Sequence, residues 1–276
     1  MGSSSIDRKL IKPEDFWAIH PVFSLEAFST AVRGPGTTRR AATRRLQYAA
    51  RQGRLKLVER GLYAVVAPGV SAETFVPDRF LVAAAVRPDA VLAYHSALEL
   101  LGLAHSVYRD VFYLTARPRK DLRLPGGRVR ALRYPQPLRN RGTEEFGVET
   151  QERQGVKVRL TGPERTLVDC FLLPRYAGGV DEVMEAARSV SALDLDRLER
   201  YLTLLDQRRA FAIMGFVLEQ AANRLFVPGP LLDRFAARRP TARIYLNKRQ
   251  RGGRLQARWN LIVPERWAPG IERADV

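Results

Sequence analysis

Cysteine is nearly missing from this sequence. Cys170 stands alone among 276 residues, which excludes an intramolecular disulfide and a thiolate metal cluster. Histidine is almost as scarce, and the spacing of His20, His95 and His105 has no paired-ligand pattern, so no metal site is expected. A glycine-rich phosphate loop of the Walker type is absent, and Gly34 to Gly36 reads as a turn. No apolar run approaches the roughly 20 residues of a membrane span. The strongest, Phe80 to Val86, is far too short, and the first residues lack a signal-peptide pattern. Neither an internal repeat nor a low-complexity tract is present. These absences predict a protein of a reducing cytoplasm, without cofactor, metal or membrane contact.

Acid is also in short supply, with 29 Asp and Glu against 46 Lys and Arg, a formal charge of +17. Such an excess attracts any polyanion. Its placement is uneven: residues 1–67 hold 12 basic and 5 acidic residues, a net of +7, whereas residues 161–233 hold 8 against 11, a net of −3. Arg117 to Arg141 carries nine basic residues against Asp121 alone, and Arg234 to Arg258 carries nine with no acid. Within them, Arg117, Arg119, Lys120 and Arg123, and Lys248, Arg249, Arg251 and Arg254 around Gly252 and Gly253, form a candidate second nucleic-acid surface. The bland alternative is a set of solvated loops and strands.

Local signals are densest from Phe23 to Val66. Ser24 can cap a helix that starts at Leu25 and ends near Arg33, and Phe23 sits at staple distance from Phe28. Gly34, Pro35 and Gly36 break the chain. Thr37 or Thr38 can cap a second helix running to about Gln52, with Gly53 as a left-handed terminator. On it, Ala42, Leu46 and Ala49 follow a buried stripe, and Arg40, Arg44, Gln47 and Arg51 follow the opposite one. Arg39, Thr43 and Arg45 widen the polar side. The apolar runs LKLV and LYAVV then flank Glu59, Arg60 and Gly61 as a hairpin, with Arg54, Lys56 and Arg60 charging it. Helix, breaker, helix and basic hairpin in this order make a winged helix-turn-helix. Its second helix suits a DNA major groove, where arginine can bind a guanine edge or a phosphate. Pro13 to Ile19 is expected to add a helix packed behind it.

Beyond residue 67 the pattern is mixed. Helices are expected near Pro77 to Val86, His95 to Leu101, Pro163 to Leu173, Val180 to Ser189, Asp196 to Leu205, Arg209 to Leu225 and Leu231 to Ala237. Strands are expected at Val111 to Thr115, in RVRALRY and VKVRL, and as a pair in ARIYLN and ARWNLIV. TGPE, from Thr161 to Glu164, has capping-box spacing with Pro163 at the first helical position. The fold class is therefore α+β. A small N-terminal winged helix-turn-helix domain, residues 1–67, precedes a larger mixed α/β domain, residues 68–276.

Catalytic constellations are lacking. His95 and Ser96 are adjacent, and neighbouring helical side chains diverge by about 100°, which disfavours a base and its nucleophile. Glu164, Arg165 and Asp169 share one helix, where an intrahelical ion pair is the default. Glu149, Glu152 and Lys157 offer only a loose nuclease set. No catalytic residue is expected.

The winged helix, GLYAVV, LAYHSALELLGL, VFYLT, RLTGPERTLVDCFLLPRYAGGVDEV and MGFVLE, in that order, resemble the AbiEi family, the antitoxin component of AbiE-type abortive-infection systems. The resemblance spans about Phe23 to Phe226. It implies a transcriptional autorepressor and type IV antitoxin that counteracts a nucleotidyltransferase toxin without a stable complex. Carried onto this chain, Arg39, Arg40, Thr43, Arg44 and Arg45 match the recognition-helix positions and Lys56 and Arg60 the wing; Thr38, Gln47 and Arg51 join the candidate DNA-binding set from the helical phase alone. His95, Ser96, Thr161, Glu164, Arg165 and Asp169 fall in the antitoxin-domain signature and are read as scaffold. The implied partner is the chain's own operator, double-stranded DNA with an inverted repeat, bound by a preformed dimer or by monomers assembling on the site. An RNA-binding antagonist of the toxin's substrate and an orphan regulator without a toxin are the alternatives.

Overall fold

The computed structural model describes residues 11–32, 38–247 and 252–269. Its architecture is α+β. Two compact units are interleaved along the chain: unit 1 comprises Met1–Leu92, Arg109–Leu132 and Thr150–Arg159, and unit 2 comprises Ala93–Tyr108, Arg133–Glu149 and Leu160–Val276. The edge expected at residue 67 follows the last wing strand, and unit 1 continues beyond it.

Unit 1 begins with α1 (Pro13–Ile19), β1 (Val22–Ser24), α2 (Leu25–Ala31), α3 (Arg39–Arg51), β2 (Leu55–Glu59) and β3 (Leu62–Val65). Ser24 Oγ accepts the Ala27 N–H at 3.1 Å and starts α2. Thr38 Oγ1 does the same for Ala41 at 3.2 Å and starts α3. Phe23 and Phe28 pack with ring centroids 5.8 Å apart, the staple expected before α2. Phe16, Trp17, Leu46, Leu55 and Tyr63 complete an aromatic-rich core. The sequence did not disclose β1: it pairs antiparallel with β3, giving a sheet ordered β1-β3-β2. Arg60 and Gly61 form the two-residue turn, with Gly61 at φ 83°, and Glu59 belongs to β2 rather than to the turn.

The rest of unit 1 is built on α4 (Arg79–Val86), whose first turn is capped by Asp78 Oδ1 at 2.9 and 3.0 Å. It holds most of a six-stranded sheet made of β4 (Val91–Leu92), β5 (Val111–Thr115), β6 (Leu122–Leu124), β7 (Gly127–Arg133), β8 (Val148–Arg153) and β9 (Val156–Thr161). The strand order is β6-β7-β5-β4-β9-β8. Every residue of β5 is buried, so its sequence alternation does not mark an exposed face.

Unit 2 is mainly helical: α5 (His95–Leu100), α6 (Gln136–Arg141), α7 (Pro163–Leu172), α8 (Val180–Ser189), α9 (Leu195–Leu205), α10 (Arg208–Gln220) and α11 (Gly229–Ala237). The helix α7 packs against α8, α9 and α10, and α10 against α11. Its expected capping box does not form. Thr161 is drawn into β9, Gly162 takes the cap position without a side-chain bond, and Pro163 opens the helix. A small sheet joins β10 (Ile244–Tyr245), β11 (Arg254–Gln256) and β12 (Leu261–Val263). The expected pair forms, with β10 running parallel to β12 and β11 pairing antiparallel with it. The Trp259 indole lies directly against Gly215 of α10, where a Cβ would have no room. None of the helices among the described residues is long and apolar enough to cross a membrane.

Candidate nucleic-acid interface

Phase on α3 separates a buried from a charged side. Ala42, Leu46 and Ala49 are buried, while Arg39, Arg40, Arg44, Arg45, Gln47 and Arg51 are exposed. At about 100° per residue, Arg40, Arg44 and Arg51 lie opposite the buried stripe, and Arg39, Thr43 and Gln47 lie to one side of them. That side lines a cleft of about 820 Å³ whose far wall includes Leu57 and Arg60 of the wing. Arg45 falls on the other side of the helix and does not line this cleft. Two hydroxyls are already engaged locally: Thr38 caps the helix, and Thr43 Oγ1 donates to the Arg39 carbonyl at 2.9 Å.

Helix α3 and the wing concentrate unpaired positive charge. Arg39, Arg40, Arg44, Arg45, Arg51 and Arg60 form no ion pair with any described carboxylate, and Glu26 is the one acid lining the cleft. Two exposed apolar side chains accompany them, Tyr48 at 66% and Leu57 at 55% exposure. Sequence periodicity passed over both. Tyr48 occupies the charged side of the helical wheel, and Leu57 lines the cleft from β2 although it shares a strand face with the buried Leu55.

Lys56 and Arg54 do not behave as the sequence suggested. Lys56 Nζ donates to the carbonyls of Glu73 and Phe75 at 3.0 and 2.6 Å, so its ammonium is anchored within unit 1 rather than extended from the wing. The Arg54 guanidinium lies 4.9 Å from the Trp17 ring centroid and 3.8 Å from a Glu14 oxygen. Among the described basic side chains of the wing, Arg60 meets neither a carbonyl nor a carboxylate.

The candidate second surface divides. Arg117, Lys120 and Arg123 are exposed and meet no described carboxylate. Arg119 instead clasps Glu59 through both guanidinium nitrogens, one bond measuring 2.6 Å. Arg128 and Arg130 are likewise engaged by Asp110, at 2.9 and 3.5 Å. Lys248, Arg249 and Arg251 lie outside the described residues, and Arg254 reaches only the Pro269 carbonyl, at 3.5 Å. In the stretch from Arg234 to Arg258, acids from elsewhere in unit 2 supply what the segment lacks. Arg234 meets Glu199, Arg238 meets Asp206, and Arg258 bridges Glu219 and Asp233.

The signature residues are interior. His95 is fully buried, with Nδ1 3.0 Å from Glu99 Oε1 and Nε2 3.3 Å from Ser106 Oγ. Its partner in sequence, Ser96, is also fully buried, and the hydroxyl within reach of the imidazole belongs to Ser106. Thr166 Oγ1 donates to the Thr161 carbonyl at 2.8 Å. Glu164 Oε1 accepts the Asp194 N–H at 2.8 Å, tying α7 to the start of α9. Arg165 and Asp169 form the intrahelical pair expected from their spacing, at 3.5 Å. Burial pushes the Asp169 carboxyl up, opposed by Arg165 and the Tyr201 hydroxyl. The Cys170 thiol beside it is pushed well up, chiefly by burial and then by Asp169, which keeps it from acting as a thiolate. Among the described residues no group of three His, Cys, Asp or Glu could hold a metal ion.

No protein-family model matches the chain, and a search of curated protein sequences finds no match. Among solved structures, the chain is similar to the RV2827C protein from Mycobacterium tuberculosis. The TM-score is 0.55 at 18% sequence identity, covering 93% of each chain. At that identity the likeness concerns the fold alone.

Proposed function

We propose that this chain is a sequence-specific DNA-binding regulator that acts through α3 and the wing. One observation supports this reading: α3 and the wing gather six exposed arginines with no described acidic partner, whereas Arg119, Arg234 and Arg258 are each held by a carboxylate. An unpaired guanidinium keeps its full charge for phosphates and its fork for guanine. Arg40, Arg44 and Arg51 would enter the major groove, and Arg60 would brace the neighbouring backbone. Tyr48 and Leu57 offer apolar contact for thymine methyl groups. One winged helix reads few base pairs, so specificity would come from two protomers on an inverted repeat.

With the AbiEi-like motif order, the proposal extends to a cytoplasmic autorepressor and antitoxin opposing a nucleotidyltransferase toxin. The signature residues would then serve as the antitoxin domain's scaffold, because they are buried and the bonds of Glu164, Arg165 and Asp169 are made within unit 2. A second reading, RNA binding, is favoured by Arg117, Lys120 and Arg123, which are exposed without a described acidic partner.

A gel shift against the chain's own upstream region, with unrelated DNA and a tRNA pool as competitors at near-physiological salt, tests both. Retention against both competitors is the expected result, and Arg44→Ala should weaken it by about 1–3 kcal/mol. Preferential loss to tRNA would overturn the DNA reading in favour of RNA.

A further inference from the structure

A cavity of about 660 Å³ opens within unit 2, well inside the roughly 300–1,000 Å³ range of small-molecule sites. Three arginines line it, Arg133, Arg141 and Arg209, and none is paired with a described carboxylate. Arg141 Nη1 donates to the Leu204 carbonyl at 3.0 Å. Arg209 donates to the carbonyls of Tyr245 and Leu246, each at 2.8 Å, and its Nε is buried without a hydrogen-bond partner. Carbonyls orient a guanidinium without neutralising it. The two acids on the wall do not supply the missing charge either, since Asp206 is held by Arg238 at 2.9 Å and Asp169 by Arg165 at 3.5 Å. Three arginines with no carboxylate partner therefore gather at one cavity. A phosphate monoester brings about −1.5 to −2 and three acceptor oxygens, a closer match than a single carboxylate.

Asp169 supplies a demand of the opposite kind. It lines the cavity at 3% exposure, with Oδ1 accepting the Tyr201 hydroxyl at 2.6 Å and Oδ2 held only by the 3.5 Å ion-pair contact to Arg165 Nε, short of a hydrogen bond. A buried acceptor of this sort wants a donor. Tyr94 is beside it on the wall, held at φ 55° and ψ −134°, a conformation that favours glycine. Strain of that kind in a side chain lining a cavity accompanies ligand sites.

We propose that this cavity binds a small phosphorylated ligand whose other end carries hydroxyl or amino donors, the chemistry shared by nucleotides and sugar phosphates. The arginines take the phosphate, and Asp169 Oδ2 takes the donor.

The test is calorimetric titration of the intact chain with AMP, GMP, CMP, UMP, ribose 5-phosphate and inorganic phosphate. Saturable one-site binding is expected for at least one organic phosphate, at least about tenfold tighter than for inorganic phosphate. Arg133→Glu should weaken it by roughly tenfold or more. Arg133 is exposed and without a recorded partner, so this variant should melt like the parent chain. Arg44→Ala should leave the binding unchanged, which separates the cavity from α3. Nucleotides binding above ribose 5-phosphate would identify a nucleotide as the ligand, and parity would identify a sugar phosphate. Absence of saturation up to about 10 mM, parity with inorganic phosphate, or loss with Arg44→Ala but not with Arg133→Glu would each overturn the proposal.

Discussion

Arg165 Nε stands 3.5 Å from Asp169 Oδ2, one turn along α7, with both side chains withdrawn from solvent. The arginine also donates to the carbonyls of Glu144 and Phe146, at 2.7 and 2.6 Å, and lies between the rings of Tyr134 and Tyr201. Desolvating two charges is unfavourable, and their mutual attraction offsets this only while both are present.

Removing one member should therefore be much worse than removing both. Arg165→Met is expected to destabilise the chain by about 3–5 kcal/mol in urea unfolding, since it strands the Asp169 carboxylate. Adding Asp169→Leu should recover a large part of that loss. A double variant as unstable as the single one would move the cost to the two orphaned carbonyls instead.

Glu182 should make the protein acid-sensitive. Burial alone would raise its carboxyl, but the N–H groups of His105 and Ser106, donating to Oε1 at 2.7 and 3.1 Å, together with His95, outweigh burial and hold it below the usual range. A lowered folded-state pKa contributes stability that is complete above the unfolded value of about 4.3 and is lost as pH falls through the folded value. Urea midpoints between pH 6 and 3 should fall at the acid end, and Glu182→Gln should flatten that fall while lowering the plateau. Parallel curves for the two proteins would remove Glu182 from the acid response.

Salt dependence separates the two basic residues of the wing. Arg60→Ala should lower the slope of log affinity against log salt for DNA by about 1. Lys56→Met should leave that slope unchanged while reducing stability by roughly 1–2 kcal/mol, because two carbonyls lose their donor. A reduced slope in Lys56→Met would place its ammonium on DNA after all.

What the sequence disclosed was local. Ser24 and Thr38 cap helices because a hydroxyl three residues before an N–H needs nothing from elsewhere in the chain. The burial of Ala42, Leu46 and Ala49 follows from helical phase alone. What it concealed depended on remote partners. Lys56 reads as a wing charge until the chain returns at Glu73 and Phe75. Thr161 reads as a cap until strand β9 claims its backbone. The acid-free stretch after Arg234 reads as a polyanion site until Glu199, Asp206 and Glu219 arrive from α9 and α10. Tyr94 in a glycine-like conformation has no local signature at all.

The clasp of Arg119 on Glu59 and the seating of Lys56 on two carbonyls fasten β2 at both of those positions to neighbouring segments of unit 1. A wing moored in this way is a fixed fin rather than a loose arm. A duplex meeting it would find the hairpin already in place, so little of the encounter's free energy would go into ordering it. Loosening either mooring should then show itself as slower, less selective capture even though no residue facing the duplex had changed.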